Sequence, residues 1–91
     1  VHEAAIALAL IELCEAHLRA RAGAKLTAVG VRIGELAGVD PDALTFSFNC
    51  LVADTPLAGA VLQIAWLPRD GAPEDAQALD LHYLEVDDEV T

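Results

Sequence analysis

The chain has 91 residues, 15 of them acidic and 5 basic, for a formal net charge of −10. That length is one small domain, and a hydrophobic content of 55% supports a core rather than a disordered acidic tail. Five bases against 15 acids exclude a nucleic-acid binder that works by neutralising phosphates and disfavour an anionic membrane surface, which leaves a cationic partner or a metal ion.

The first predicted element is a helix over residues 4–22, rich in Ala and Leu and free of Gly and Pro. A period of 3.6 puts Ile6, Leu10, Leu13, Cys14 and His17 on one face, with Glu12, Glu15 and Arg19 on the wet side. Arg19 and Arg21 suit the negative end of the helix dipole, and Gly23 suits the position just past it. Residues 26–34 alternate as a strand, with Thr27, Val29, Val31 and Ile33 on one side and Leu26, Ala28, Gly30 and Arg32 on the other. Asp40 is a good N-cap and Pro41 a good first residue for a second helix. That helix presents Leu44, Phe48, Leu51 and Val52 on one face and should stop near Asp54, because Pro56 forces Thr55 into extended geometry.

Residues 60–67 alternate again, with Leu62, Ile64 and Trp66 sharing a face until Pro68. Residues 68–78, PRDGAPEDAQA, read as a polar connection. The last strand, 79–86, slips in phase between Leu79/Leu81 and Leu84/Val86, which predicts a β-bulge near His82 and Tyr83. The order α-β-α-β-β argues an α+β fold, two helices packed on one face of a three-stranded sheet, in a single domain spanning 1–91. Charge is uneven along it: residues 70–91 hold eight acids and no base, a solvated stretch, whereas 1–69 are nearly balanced. The longest uninterrupted apolar run, Ala4–Ile11, is too short to span a bilayer, and there is no basic leader, so a soluble cytoplasmic protein with reduced, buried Cys14 and Cys50 is expected.

Chemistry-bearing motifs are few. There is no nucleophile elbow, P-loop or H-E-x-x-H, so no constellation of nucleophile, base and oxyanion donors can be assembled and an enzyme is not expected. His17 reads as a core or boundary residue, His82 as an exposed or bulge residue, and Arg32 as a surface cation or ion-pair partner. The exception is Val1-His2-Glu3. A free α-amine, the amide nitrogen of residue 2 and the Nδ1 of its imidazole can close adjacent chelate rings on one ion, and the Glu3 amide offers a further nitrogen. A planar all-nitrogen set suits Ni(II) or Cu(II) better than zinc, and binding through deprotonated amides weakens in acid. The bland alternative is a frayed end carrying a helpful acid near a helix start.

The chain also resembles the HypA/HybF family of hydrogenase-maturation nickel metallochaperones. His2-Glu3 runs straight into a helix as the family's Met-His-Glu does. Gly23-Ala24-Lys25 followed by residues 32–39, RIGELAGV, is similar to the family's G-A-K and R-I-G-E-L-S-G-V. Pro41-Asp42-Ala43-Leu44 with Phe46 and Phe48 resembles P-E-A-L-x-F-x-F, and Thr55, Ala58-Gly59-Ala60 and Leu62-Gln63-Ile64 resemble G-T-x-x-E-G-A-x-L-x-I. Residues 79–87 are similar to the family's last strand. The resemblance implies the same α+β fold, nickel bound by His2 and the N-terminal backbone with Glu3 in or beside the site, and transfer to a hydrogenase large-subunit precursor with a GTPase partner, HypB.

Two departures stand out. Val1 occupies the place of the family's initiator methionine, as a GTG start codon read literally would give, and either residue offers the same α-amine. The family's two C-x-x-C pairs, which hold a structural zinc between the last two strands, have no counterpart in 68–78, so no structural zinc is expected. The leading expectation is a nickel-binding accessory factor that delivers Ni(II) by ligand exchange. The alternative is a metal-free adaptor or assembly module built on the same body.

Overall fold

An Ala- and Leu-rich stretch uninterrupted by Gly or Pro becomes helix α1, Glu3–Arg19. In the computed structural model, which describes residues 2–21 and 23–87, it is followed by β1 (Lys25–Gly34), α2 (Pro41–Val52), β2 (Val61–Leu67), a single helical turn α3 (Pro73–Ala76) and β3 (Leu79–Asp87). The strands form one sheet in the order β2-β1-β3, with β1 parallel to β2 and antiparallel to β3. Parallel neighbours need a crossover, and α2 supplies it. The α+β class and the two-helix, three-strand plan agree with the sequence. The order gains α3, because Pro73 starts a turn whose Ala76 is buried, inside a segment whose composition reads as pure loop.

One core joins Ala7, Leu10, Ile11 and Cys14 of α1, Leu44, Phe48 and Val52 of α2, and Leu26, Val29, Val31 and Ile33 of β1. Phe48 and Leu44 are fully buried, each contributing roughly 1.5–3 kcal/mol of hydrophobic stabilisation. The inward face of α1 is rotated from the predicted one. Leu13 is 47% exposed and His17 lies in solvent, while Ala7 and Ile11 turn inward. In an Ala-rich helix two overlapping stripes satisfy the same period, and the one with the small Ala7 lets α1 sit close to α2. On α2 the row Leu44, Phe48, Val52 faces in at i, i+4, i+8, which leaves Leu51 and Cys50 exposed, against the expectation of an inward Leu51 and two buried thiols.

The helix ends also move. α1 stops at Arg19, where Ala20 and Arg21 donate to the carbonyls of His17 and Leu18 in a tightened last turn. Gly23 therefore stands beyond the cap and takes a φ of +84° in the turn into β1. α2 stops at Val52 rather than near Asp54, because Thr55 turns back onto the Val52 carbonyl with both its amide (2.9 Å) and its Oγ1 (2.8 Å).

Two irregularities set the faces of the sheet. Leu26 pairs with Val86 and Ala28 with Glu85, so Thr27 is the extra residue, and Leu26 returns to the core side instead of following Ala28 outward. Gly30 pairs with Tyr83 and Val31 with Leu81, so His82 is unopposed, the bulge predicted from the phase slip. The side of the sheet away from the core then carries Asp80, Tyr83 and Glu85 from β3. Tyr83 lies flat across Gly30, where any Cβ would overlap its ring, and its hydroxyl donates to the Oε1 of Gln63 on β2.

The 68–78 connection is docked. The Gly34 amide donates to the Ala78 carbonyl (2.8 Å) and the Leu36 amide to the Ala76 carbonyl (2.7 Å). The Glu35 carboxylate accepts from the Arg69 amide (2.9 Å) and Nε (3.1 Å). A Cβ at Gly34 would overlap the Ala76 carbonyl, so only glycine admits this approach. No helix among the described residues is long and apolar enough to cross a membrane.

Candidate metal site at the N-terminus

His2 is the N-cap of α1, extended at φ −96° and ψ 103°. Its carbonyl accepts from the amides of Ala5 (3.1 Å) and Ile6 (3.2 Å), which starts the helix, but its side chain makes no cap bond and is exposed. The imidazole is therefore not spent on the fold. The amide at a helix cap also has no intrahelical acceptor, so the nitrogen beside the ring is not committed to the ladder. Val1, the third member of the predicted ligand set, lies outside the described residues.

Glu3 is the first helical residue and does something its sequence position does not announce. Its Oε2 accepts from the backbone amide of Asp40 at 3.1 Å, across 37 positions. Asp40 in turn caps α2, its Oδ1 accepting from the amides of Asp42 (2.9 Å) and Ala43 (3.3 Å). The starts of α1 and α2 thus lie side by side, each with a carboxylate against its positive dipole end. The Asp40 amide, then Glu3's own amide, hold the Glu3 carboxyl below its ordinary value of 4.5, with partial desolvation opposing them.

The other singled-out residues do not join this cluster. Arg32 is clamped by Asp80, Nε to Oδ1 and NH2 to Oδ2 both at 2.9 Å, with Asp75 at 3.9 Å. That pair raises the arginine and lowers the aspartate, the expected ion-pair role. His17 and His82 line a groove between the end of α1 and β3. Cys14 is enclosed in the core, where burial pushes its thiol up to about 11, and Cys50 is exposed on α2. These thiols belong to different helices and environments and do not fit a structural zinc, which needs four converging donors. No group of three or more His, Cys, Asp or Glu that could hold a metal forms among the described residues. An N-terminal site built on backbone nitrogens and one imidazole has no such side-chain cluster to show.

Residues 1–78 match the family described as hydrogenase/urease nickel incorporation, metallochaperone, hypA. The chain is 44% identical over 71 residues to hydrogenase maturation factor HypA of Deinococcus radiodurans, covering 78% of this chain and 59% of that protein. It is 39% identical over 71 residues to the same factor of Geobacter metallireducens, covering 78% and 62%. With the factor of Geotalea uraniireducens it shares 37% over 78 residues, covering 86% and 68%. The chain spans about three-fifths of the length of the first two relatives.

Proposed function

The chain belongs to the HypA family, and on that premise we propose that it binds Ni(II) at its N-terminus and passes it on by ligand exchange during maturation of a nickel-iron hydrogenase. Nickel is cargo here, not a resident cofactor. The ligands are the α-amine of Val1, the amide nitrogen and Nδ1 of His2, and the amide of Glu3 when it is released from its own carboxylate. The Glu3 carboxylate stands beside the site and ties the head of α1 to α2. The observation that carries this reading is the exposed, uncapped imidazole of His2 at the head of a helix whose next residue is pinned. A site built on the exposed His2 is open to a second set of ligands, and transfer requires that access. The acceptors are a nickel-handling GTPase of the HypB type and the hydrogenase large-subunit precursor, in the cytoplasm, and no step of bond chemistry falls to this chain.

We also read the 68–78 connection as closing the body in place of a zinc module, so that the domain stands without structural zinc. Calorimetric titration tests the nickel reading. Placing one extra residue before Val1 moves the α-amine away from His2 and is expected to abolish stoichiometric Ni(II) binding. An extended chain that binds nickel as well as the parent would overturn it, and retained capture of the GTPase by such a chain would favour the metal-free adaptor.

A further inference from the structure

The core side of the sheet is not fully covered. α1 packs chiefly against α2, and the core-side residues of β3 stay partly open. Leu81, Leu84 and Val86 are half-buried, and Leu79 is 42% exposed. Between the last turn of α1 and β3 this leaves a groove of about 510 Å³, within the range that small organic ligands occupy. Leu81, Leu84 and Val86 form its apolar floor. Its polar lining among the described residues is His17, Arg21, His82 and Tyr83, with no acid. Glu85 and Asp87 alternate to the opposite side of β3. In a chain of 15 acids and 5 bases, that lining is a local reversal of charge. A second groove shares Leu81 and runs on between Ile6 and Leu13 of α1 and Leu79 of β3. Its one charged residue, Asp80, is held by Arg32.

We propose that the two grooves together bind a single-chain carboxylate, its head among His17, Arg21 and His82 and its alkyl chain along Leu81 toward Leu13 and Leu79. The chemistry of the lining selects this occupant. Each imidazole brings a ring N–H and the guanidinium five, the donors a carboxylate accepts from. The alkyl chain covers Leu13 and Leu79, which are 47% and 42% exposed, and leaves water itself. An extended peptide fits less well, because its backbone N–H and C=O groups need a strand to pair with. β3 carries Asp80, Glu85 and Asp87 and is broken by the His82 bulge, and charges and bulges are what keep strands from adding to an edge. An alkyl chain has no such groups to satisfy. A net charge of −10 disfavours an anionic membrane surface, so the ligand is a free amphiphile. The head of this site lies roughly 20 Å along α1 from His2, and it is independent of the nickel reading.

The test is calorimetric titration of the full chain with decanoate and with decyltrimethylammonium, a cation of the same chain length. Three variants accompany the parent. Ala20→Glu and His82→Glu place an acid beside the head site from its two walls, each at an exposed position outside the core. Arg19→Gln removes a base from the same turn of α1 that lines a different groove, against Pro56 and Leu57. Matching circular dichroism spectra confirm the fold of each. The parent is expected to bind one decanoate per chain below the concentration at which decanoate forms micelles, and not the cation. Either acidic variant should bind about tenfold or more weakly, and Arg19→Gln within about twofold of the parent. A parent that binds no decanoate in that range or binds the cation as well, a folded acidic variant that binds like the parent, or an Arg19→Gln that loses as much as the acidic variants would overturn the proposal. So would co-sedimentation of the parent with phosphatidylglycerol vesicles, which would make the ligand a membrane.

Discussion

The segment from Gly34 to Asp40 is held at both ends, and the two holds differ in kind. At its start the 68–78 connection grips it with two backbone hydrogen bonds and a two-point Glu35–Arg69 contact, over a glycine that no other residue can replace. At its far end the head of α1 reaches it through one carboxylate, Glu3 to the Asp40 amide. The first is redundant and closely packed, as suits a closure. The second is a single exposed bond beside an uncommitted imidazole, as suits a site whose ligands must exchange. Backbone order is thus spent where the body is closed and withheld where cargo would be handled.

The sharpest way to break this contrast is at Gly34. Gly34→Ala drives a Cβ into the Ala76 carbonyl and is expected to cost about 1–3 kcal/mol in denaturant unfolding. Gly71→Ala in the same connection meets only ordinary contacts and should stay within about 0.5 kcal/mol. Equal midpoints for the two would mean that the connection is not docked on β1. On the other side of the segment, Glu3→Ala should lower the thermal midpoint less than Gly34→Ala and speed amide exchange at Asp40 specifically, with the rest of α2 unchanged.

Acid sharpens the comparison next. Glu3 and Glu35 both titrate below their ordinary 4.5 in the folded chain, Glu3 through the Asp40 amide and Glu35 through the Arg69 amide. A depressed carboxyl contributes stability that is fully present above 4.5 and is lost as pH falls through the folded value. The unfolding midpoint should therefore drop on acidification below that point, and the double variant Glu3→Gln/Glu35→Gln should flatten the drop. The smallest effect belongs to metal removal. A strong chelator should leave the thermal midpoint unmoved, because the connection closes by hydrogen bonds and not by thiolates; a clear fall would show a structural metal.

Much of this fold is readable in the chain. Asp40-Pro41 announces α2, and the slipped phase of Leu79/Leu81 against Leu84/Val86 announces the bulge at His82. What is not readable depends on contacts distant in sequence. The rotation of α1 is decided by how closely Ala7 lets it approach α2, and the inward turn of Leu26 by a bulge at Thr27 that only the pairing with β3 reveals. The candidate site divides in the same way. His2 at the head of a helix is visible in three residues, whereas the Glu3–Asp40 bond spans 37 positions and leaves no local signal beyond an acid in a first helical turn.

The central claim rests on His2, and nickel titration into the untagged chain beside its His2→Ala variant tests it most directly. The imidazole makes no contact that the fold needs, so both proteins should unfold at the same temperature. The account predicts one Ni(II) bound per chain by the parent, weakening as pH falls, and none above background by His2→Ala. Equal nickel affinity in the two proteins would contradict it.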